Sequence, residues 1–329
     1  MASQIDNFAS MVDQTLYPLV IDEYAEVQPT YPQYCEVLPW DVKYQLGEKT
    51  QSVIGVGEPD EIPIGTEAPS RQFLDSWAVY ASSRKYAHSL AITVEEMEAI
   101  NAIGRLPGSI EQFFLGQGRA FRRKKEKLIA NIYQKGTLTA GDARYFNGTF
   151  TNETDPYPLY GYDGAPFFDT AHNLKASSTT PSNHTASAAL SEATLKAALT
   201  LMERTSALDE RGVAIENVMD SLMIPVGLEW TARTLLESAL KVGSGNNDKN
   251  LLQGRLNLIV NRYLTDDADG WYLLRTQGRR AVRVRDSGEP RLRVFMHEPT
   301  NRVVMELASY FSATVQDWRG AFNANKAAA

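Results

Sequence analysis

Apolar positions three and four residues apart predict one long helix in the first half of the chain. They recur at Ile110, Phe113, Phe114, Phe121, Leu128, Ile129, Ile132 and Tyr133. Ser109 and Gln112 have the spacing of a capping box at its start, and Gly136 follows its end. A helix over residues 109–135, about 27 residues at ~1.5 Å each, is roughly 40 Å long, which indicates a structural spine.

Residues 222–274 predict a strand, a helix and two further strands. An apolar stretch ends at Pro225, and helical spacing follows at Leu228, Ala232, Leu235, Leu236 and Ala239. A Gly/Asn loop separates this helix from a strand at 256–260, and an acidic turn leads into the apolar run 271–274. This order predicts the core of a mixed α and β unit.

The first 44 residues are rich in Pro and Tyr and predict an extended arm. Pro18, Pro29, Pro32 and Pro39 interrupt any long helix, which leaves one short helix near residues 8–16. An arm this apolar needs a surface that covers it. It either folds back onto its own domain or lies across a neighbouring subunit, and the pattern favours neither.

The remaining patterns predict shorter elements. Residues 45–92 predict a long β excursion whose returning limb alternates over 86–92, with His88 in the larger-residue row. A capping box at 93–96 begins a helix that ends near residue 103. Further elements are predicted at 191–205 (helix), 281–285, 292–295 and 303–318 (extended).

Composition is that of an ordinary globular protein. The 329 residues are 43% hydrophobic and 22% charged, enough for one large or two modest domains. No apolar run approaches the ~20 residues that span a bilayer, so no membrane partner is expected, and the N-terminal residues do not resemble a secretory signal. Cys35 is the single cysteine, which excludes an internal disulfide and fits a reducing cytoplasm.

Basic residues are concentrated in two clusters, although the formal net charge of −7 argues against whole-surface binding of nucleic acid. The first cluster is a basic face on the long helix: Arg119, Arg122, Arg123 and Lys124, extended by Lys125 and Lys127. In one interpretation it faces packaged DNA or an acidic neighbour. A solvated helix face is the favoured interpretation.

The second cluster is rich in Arg, at Arg275, Arg279, Arg280, Arg283 and Arg285, followed by Arg291 and Arg293. Arginine pairs with carboxylates through two parallel hydrogen bonds, the chemistry that an assembly interface uses. These residues are therefore predicted inter-subunit contacts, with an ordinary exposed strand as the alternative.

No pattern predicts a catalytic, cofactor or metal site. The four histidines are scattered, and the acidic turn at Asp266, Asp267 and Asp269 lacks the ligand spacing of a calcium loop. The Gly/Asn loop at 243–247 follows a helix, whereas phosphate-binding loops precede one. Asp169 and His172 are close in sequence, which predicts a local hydrogen bond.

Five blocks, taken in order, resemble the major capsid proteins of tailed bacteriophages, and the closest resemblance is to the Mu-like major head subunit. The blocks are KYAHSLAIT, the helix at 109–135, DGAPFFDTAH (163–172), MIPVGLEWTARTLLESA through GWYLL, and SYFSATVQDWRGAF. None is specific by itself, because this family is related by fold more than by sequence. Their order and spacing make the resemblance.

The resemblance implies an α+β fold, the tailed-phage major capsid fold, in five parts. These are an N-terminal arm (1–44), an extended β loop (45–92), a peripheral domain with the spine helix (93–188), an axial domain (189–290), and a return to the peripheral domain with a C-terminal tail (291–329).

The implied function is a major capsid protein that self-assembles as hexamers and pentamers into an icosahedral virion shell around double-stranded DNA. DNA is enclosed without sequence-specific binding, and assembly occurs in the host bacterial cytoplasm. A separate scaffolding protein is expected because the arm begins almost at Met1. A portal and a decoration protein are further expected partners. The alternatives are an encapsulin-like nanocompartment shell and, more remotely, a soluble hydrolase.

Overall fold

The computed structural model describes most of the chain. The described residues are 2–42, 48–52, 54, 59, 61–67, 77–81, 84–139, 161–240, 248–265 and 268–324. Within them the α-helices are α1 (Ala2–Glu26), α2 (Val94–Ile103), α3 (Gly108–Gln134), α4 (Glu192–Thr200) and α5 (Glu229–Glu237).

The strands of the described residues form two five-stranded sheets and a two-stranded ribbon. They are β1 (Glu36–Pro39), β2 (Glu48–Gln51), β3 (Ala78–Ala81), β4 (Arg84–Thr93), β5 (His184–Thr185), β6 (Ser221–Ile224), β7 (Asn257–Val260), β8 (Trp271–Leu274), β9 (Val282–Asp286), β10 (Arg291–His297), β11 (Arg302–Val315) and β12 (Ala321–Ala324).

The long strand β11 organises the first sheet. It pairs antiparallel with β4 over residues 302–311, with β10 over 302–308 and with β9 over 311–315, and β9 pairs in parallel with β1. Helices α1, α2 and the first half of α3 cover this sheet through a core that includes Phe8, Met97, Phe114, Met305 and Leu307.

The second sheet has the order β5-β12-β8-β6-β7, and its central strands are buried on both faces. Leu222 and Leu273 belong to the core shared with α4 and α5, whereas Met223 and Tyr272 belong to the core shared with the C-terminal half of α3. Because successive strand side chains alternate between faces, a strand covered on both sides reads as a continuous apolar run. This explains the uninterrupted runs in β6 and β8.

The predicted spine helix is confirmed as α3, 27 residues long, but its predicted capping box is wrong. The helix begins one residue earlier, with Pro107 as the N-cap and no side-chain cap, so Ser109 already lies in the first turn. The capping box at Thr93 and Glu96 is confirmed, as is the order of elements in residues 222–274. The helix predicted at 191–205 is confirmed as α4, which a π-helix continues to Thr205.

The prediction of an extended N-terminal arm is wrong over residues 2–26, which form the helix α1 with Pro18 inside it. Phe8, Val12, Leu16 and Val20 recur every four residues and are fully buried in the core shared with α3 and the first sheet. Pro18 is exposed, so packing of the apolar stripe outweighs the hydrogen bond that Pro removes. Of the two alternatives, the structure has this segment folded onto its own domain.

The β excursion is confirmed where it is described. Strands β2 and β3 pair antiparallel, and β4 follows with Tyr86, Leu90 and Ile92 less exposed than Ala87. Residues 53, 55–58, 60, 68–76 and 82–83 of this excursion lie outside the described part of the chain. So do residues 241–247, the pair Asp266 and Asp267, and the last five residues.

Candidate functional site

The buried ion pair between Lys125 and Asp286 joins α3 to the end of β9. Lys125 Nζ donates to Asp286 Oδ1 at 2.6 Å, to the Gly288 carbonyl at 2.7 Å and to the Tyr24 hydroxyl at 2.9 Å. The second carboxylate oxygen accepts from the Tyr31 hydroxyl at 2.8 Å. Burial lowers the pKa of Lys125, and the Asp286 charge opposes that shift. All three donors of this ammonium therefore have acceptors.

The neighbouring residue on α3, Glu126, holds the chain as it leaves α1. Its fully buried carboxylate accepts from the Thr30 backbone N–H at 2.5 Å and from the Thr30 hydroxyl at 2.6 Å. Hydrogen bonds to an ionised acceptor are about twice as strong as neutral ones. Two adjacent charged residues of one helix therefore fix the segment that connects α1 to β1.

The predicted basic face contacts an acidic partner within the chain. Arg119 forms ion pairs with Glu23 and Glu26 of α1, the latter at 2.5 Å. Arg122 lies over a ring of the same helix, that of Tyr24, at 3.9 Å. The other two predicted members differ in exposure, because Arg123 is exposed and Lys124 is half-buried. Half of the predicted face thus holds α1 in place.

The predicted arginine cluster lies where β9 meets the N-terminal segment. Arg283 pairs with Glu36 at 3.0 Å, and Arg285 donates to the Pro39 carbonyl at 3.3 Å, both across the β1–β9 pair. Arg280 donates to the carbonyls of Pro32 and Cys35 at 2.7 and 2.5 Å. These three arginines attach residues 32–39 to β9 and to the loop before it.

Arg275 and Arg279 extend the same cluster to the connection between the two sheets. Arg275 donates to Asn217 Oδ1 and to the Arg279 carbonyl, each at 2.8 Å. Arg279 donates to the Gln51 carbonyl at 2.5 Å, which ties the β2–β3 ribbon to this connection. All five arginines make intrachain contacts, and their part in contacts between subunits stays a prediction.

A second buried network surrounds Arg319. Its guanidinium pairs with Glu210 at 3.0 Å and with Asp317 at 3.4 Å, donates to the Tyr162 hydroxyl, and lies over the Trp318 ring at 4.5 Å. The side chains of Arg319 and Glu210 are fully buried. A buried charge is tolerated when it is paired and hydrogen-bonded in this way.

His172 is enclosed in the same region. Nδ1 lies 2.7 Å from Asp163 Oδ2, Nε2 lies 3.0 Å from Asn183 Oδ1, and the ring stacks on Trp318 at 4.2 Å. The predicted pairing with Asp169 is wrong, because that carboxylate accepts from the Ala171 backbone N–H. The first and last residues of the DGAPFFDTAH block therefore close it into a loop through one hydrogen bond.

These networks have the properties of structural contacts. His172 is fully buried, and its ring nitrogens face a carboxylate and an amide instead of a nucleophile. Burial raises the pKa of the Cys35 thiol well above its ordinary value, which keeps it protonated and unreactive. Among the described residues no group of three or more His, Cys, Asp and Glu could hold a metal ion, and none of the helices there has the length and apolarity needed to span a membrane.

Sequence reasoning missed the buried charges Lys125, Asp286 and Arg319. Lys125 stands within a run of basic residues, and only its position on the inward side of α3 distinguishes it. Asp286 ends an Arg-rich alternating segment and Arg319 lies between Trp318 and Gly320, and no pattern in the sequence signals the burial of either charge.

Comparison with known proteins assigns the chain to a family. A family model described as "Phage capsid protein" matches residues 78–324, which is 247 of the 329 residues. The chain belongs to the phage capsid protein family. It is a major capsid protein, a structural component of the virion capsid that self-assembles into a shell, and it is not an enzyme. The match supports the phage shell over the nanocompartment and the hydrolase.

The solved capsid structure of Ralstonia phage GP4 agrees with the capsid fold. The capsid of Ralstonia phage GP4 is 12% identical, with 89% of each chain covered and a TM-score of 0.50. The capsid of cyanophage P-SCSP1u is also 12% identical, with 92% of this chain and 89% of that one covered and a TM-score of 0.49. No curated protein matches the sequence. The predicted α+β capsid fold is confirmed.

Proposed function

We propose that copies of this capsid protein associate as hexamers and pentamers into an icosahedral shell that encloses double-stranded DNA without sequence-specific contacts. The observation that carries the proposal is the family match over residues 78–324. Two sheets joined by a shared core and flanked by buried ion pairs suit a rigid subunit that is repeated many times.

We assign the five predicted parts to the structure as follows. The first sheet with α2 and α3 forms the peripheral domain, the second sheet with α4 and α5 forms the axial domain, and the β2–β3 ribbon is the base of the extended loop. β9 lies inside the predicted axial span 189–290 yet pairs with β11, and β12 pairs with β8 of the second sheet. We therefore propose that the chain returns to the peripheral domain before β9 and crosses back to the axial domain before β12.

The finer identity proposed is a Mu-like major head subunit assembled in the host bacterial cytoplasm. The hydrogen bond between Asp163 and His172 supports treating DGAPFFDTAH as one structural unit. A separate scaffolding protein, a portal and a decoration protein are the proposed partners. Residues 2–26 form α1, which is packed into the core, so this helix is part of the folded subunit.

The arginine cluster is proposed to contact a neighbouring subunit through the part of its guanidinium groups that remains exposed. The side chains of Arg279 and Arg283 are 29% and 20% exposed. Arginine pairs with carboxylates in a planar geometry, so acidic side chains of a second copy are the proposed partners.

The experiment is electron microscopy of particles purified from cells that produce the protein, with a nuclease-protection assay on particles from phage-producing cells. We expect closed shells and protected double-stranded DNA. A compact monomer over a wide concentration range would contradict the shell, and shells that enclose protein cargo in place of DNA would indicate a nanocompartment.

A further inference from the structure

An exposed apolar patch, the α5 patch, surrounds the short helix α5. Of the twelve large hydrophobic side chains that are exposed in the described residues, four lie between residues 226 and 251. They are Val226 (52% exposed), Trp230 (78%), Leu240 (50%) and Leu251 (75%). Single exposed hydrophobic residues are ordinary, whereas a concentration of them marks an interaction surface.

The α5 patch is compact because the helix is short. Its nine residues span about 14 Å. Val226 and Trp230 lie at its N-terminal end. Leu240 and Leu251 lie beyond its C-terminal end, where the Asn250 side chain donates to the carbonyls of Leu235 and Ser238, each at 2.8 Å.

Trp230 is the most exposed member of the patch. The protein has five tryptophans, of which Trp271 and Trp318 are fully buried and Trp40 and Trp77 are partly buried. Tryptophan is enriched among the residues that dominate binding energy at protein interfaces, because its indole removes a large apolar area from water. An indole this exposed on a rigid helix is suited to bind a partner.

A groove beside the same helix, the α4–α5 groove, is suited to receive an indole. It has a volume of about 330 Å³ and lies between the start of α4 and one flank of α5. The residues that line it are Leu190, Ser191, Glu192, Thr231, Thr234, Leu235 and Asn250. Trp230 is not one of them. Because successive positions on a helix are about 100° apart, Trp230 projects next to this groove and leaves it open.

Two basic side chains, one on α5 and one beside the groove, are paired within the chain. Arg233 pairs with Glu229 at 3.0 Å and with Glu237 at 2.7 Å, and Lys196 pairs with Glu192 of the groove at 2.6 Å. At Trp230 and at the groove a partner therefore has to supply apolar surface. A second copy of this chain meets that requirement, because it carries both the tryptophan and the groove.

We infer that Trp230 of one copy inserts into the α4–α5 groove of a second copy. The tryptophan and the groove are different surfaces of one subunit, so the contact is head-to-tail. Repeated head-to-tail contacts close into rings when the rotation between copies permits it. The inference rests on the proposed function and names the surfaces through which the copies of one ring meet.

The test compares the full-length protein with two single variants. Trp230→Ala removes the inserted side chain, and Thr234→Arg fills the groove with a long charged side chain. Each is expected to raise the protein concentration needed for assembly at least about tenfold, because a few residues of this kind dominate interface affinity. Val218→Ala, at a side chain that is 47% exposed and outside the patch, is the control and is expected to assemble like the wild type.

A mixture of the two variants tests the head-to-tail geometry. The Thr234→Arg copy keeps its tryptophan, and the Trp230→Ala copy keeps its groove. An equimolar mixture is therefore expected to form dimers in analytical ultracentrifugation, whereas each variant by itself stays monomeric at the same concentration.

A further readout uses the wild type and does not depend on how the variants fold. Because Trp230 is the most exposed tryptophan, assembly is expected to shift tryptophan emission to shorter wavelength and to reduce its quenching by iodide. If tryptophan quenching by iodide falls only when another phage protein is present, the patch binds that protein and the inference is overturned.

The outcomes separate this contact from the shell itself. Shells that Trp230→Ala forms at the wild-type concentration would overturn the contact and leave the proposed function standing. A wild-type protein that never assembles would overturn both.

Discussion

At the scale of single residues, charges that look like surface charges in the sequence hold the interior together. Lys125 belongs to a basic run, yet its side chain is 3% exposed and pairs with Asp286. It is four residues from Phe121 and from Ile129, which places it on the buried side of α3. Its place in the helical period, and not its residue type, therefore decides that this lysine is buried.

Replacing Lys125 by Met is expected to destabilise the unassembled protein by about 3–5 kcal/mol, because Asp286 is left buried without a counter-charge. Lys127→Met is the matched control at an exposed position of the same helix, and we expect it to change the free energy of unfolding by less than about 0.5 kcal/mol. Urea denaturation measures both values. Equal stability of the two variants would remove the assigned role of the ion pair.

At the scale of elements, α1 and α3 pack closely at one glycine. A Cβ atom at Gly118 would lie 2.5 Å from the Val20 carbonyl oxygen and 3.0 Å from Glu23 Cβ. Gly116, two residues earlier in the same helix, has no such neighbour within 4 Å of an added Cβ. The missing side chain at Gly118 therefore permits the contact between the two helices.

Gly118→Ala is expected to destabilise the protein by about 1–3 kcal/mol, because the added methyl group pushes α1 away from α3. Gly116→Ala is the control and is expected to stabilise it by about 0.5–1 kcal/mol, since Ala is the better helix former and meets no neighbour. Thermal unfolding measures both, and proteolysis after α1 reports whether that helix remains docked. Changes of the same sign in both variants would contradict the close packing.

The same two helices show what a local pattern can predict. The apolar period of α3 predicted its length and its buried face, because nothing in that segment opposed the pattern. In α1 an apolar period of four was present as well, but Pro18 and the prolines after it favoured an extended arm. Burial of Phe8 and Val12 against the rest of the chain decided the outcome, and this depends on residues distant in sequence.

At the scale of the whole molecule, buried tyrosines join the N-terminal segment to both sheets. Tyr34 packs edge-on against Tyr133 of α3 at 5.5 Å, and Tyr133 packs against Tyr272 of β8 at 5.8 Å. Tyr31 packs edge-on against Phe311 of β11 at 6.4 Å. The central core therefore contains aromatic rings from distant parts of the chain.

Stability is expected to fall at alkaline pH. Burial raises the pKa of six tyrosines above the ordinary value: Tyr24, Tyr31, Tyr34, Tyr133, Tyr162 and Tyr263. The unfolded chain loses these protons near pH 10, where the folded chain still holds them, so their contribution to stability is full below about pH 10 and is lost as the pH rises further. The lowered pKa of Lys125 acts in the opposite direction, but it is one group against six tyrosines.

Thermal melting across the alkaline range checks this expectation, with tyrosinate absorbance recorded on the same samples. The melting temperature of the unassembled protein should be constant below about pH 9 and fall above about pH 10. Complete ionisation of all tyrosines near pH 10 in a chain that is still folded would show that the buried ones are not protected.

Local patterns were sufficient to predict α2 to α5 and most strands, because helical and strand periods are properties of neighbouring residues. The order of these elements was sufficient to resemble a capsid protein. The helix α1, the Lys125–Asp286 pair and the enclosure of His172 were decided by tertiary structure. Lys125 and Asp286 are 161 residues apart in the sequence. They meet and are buried only when the elements pack, and burial is what makes an unpaired charge costly.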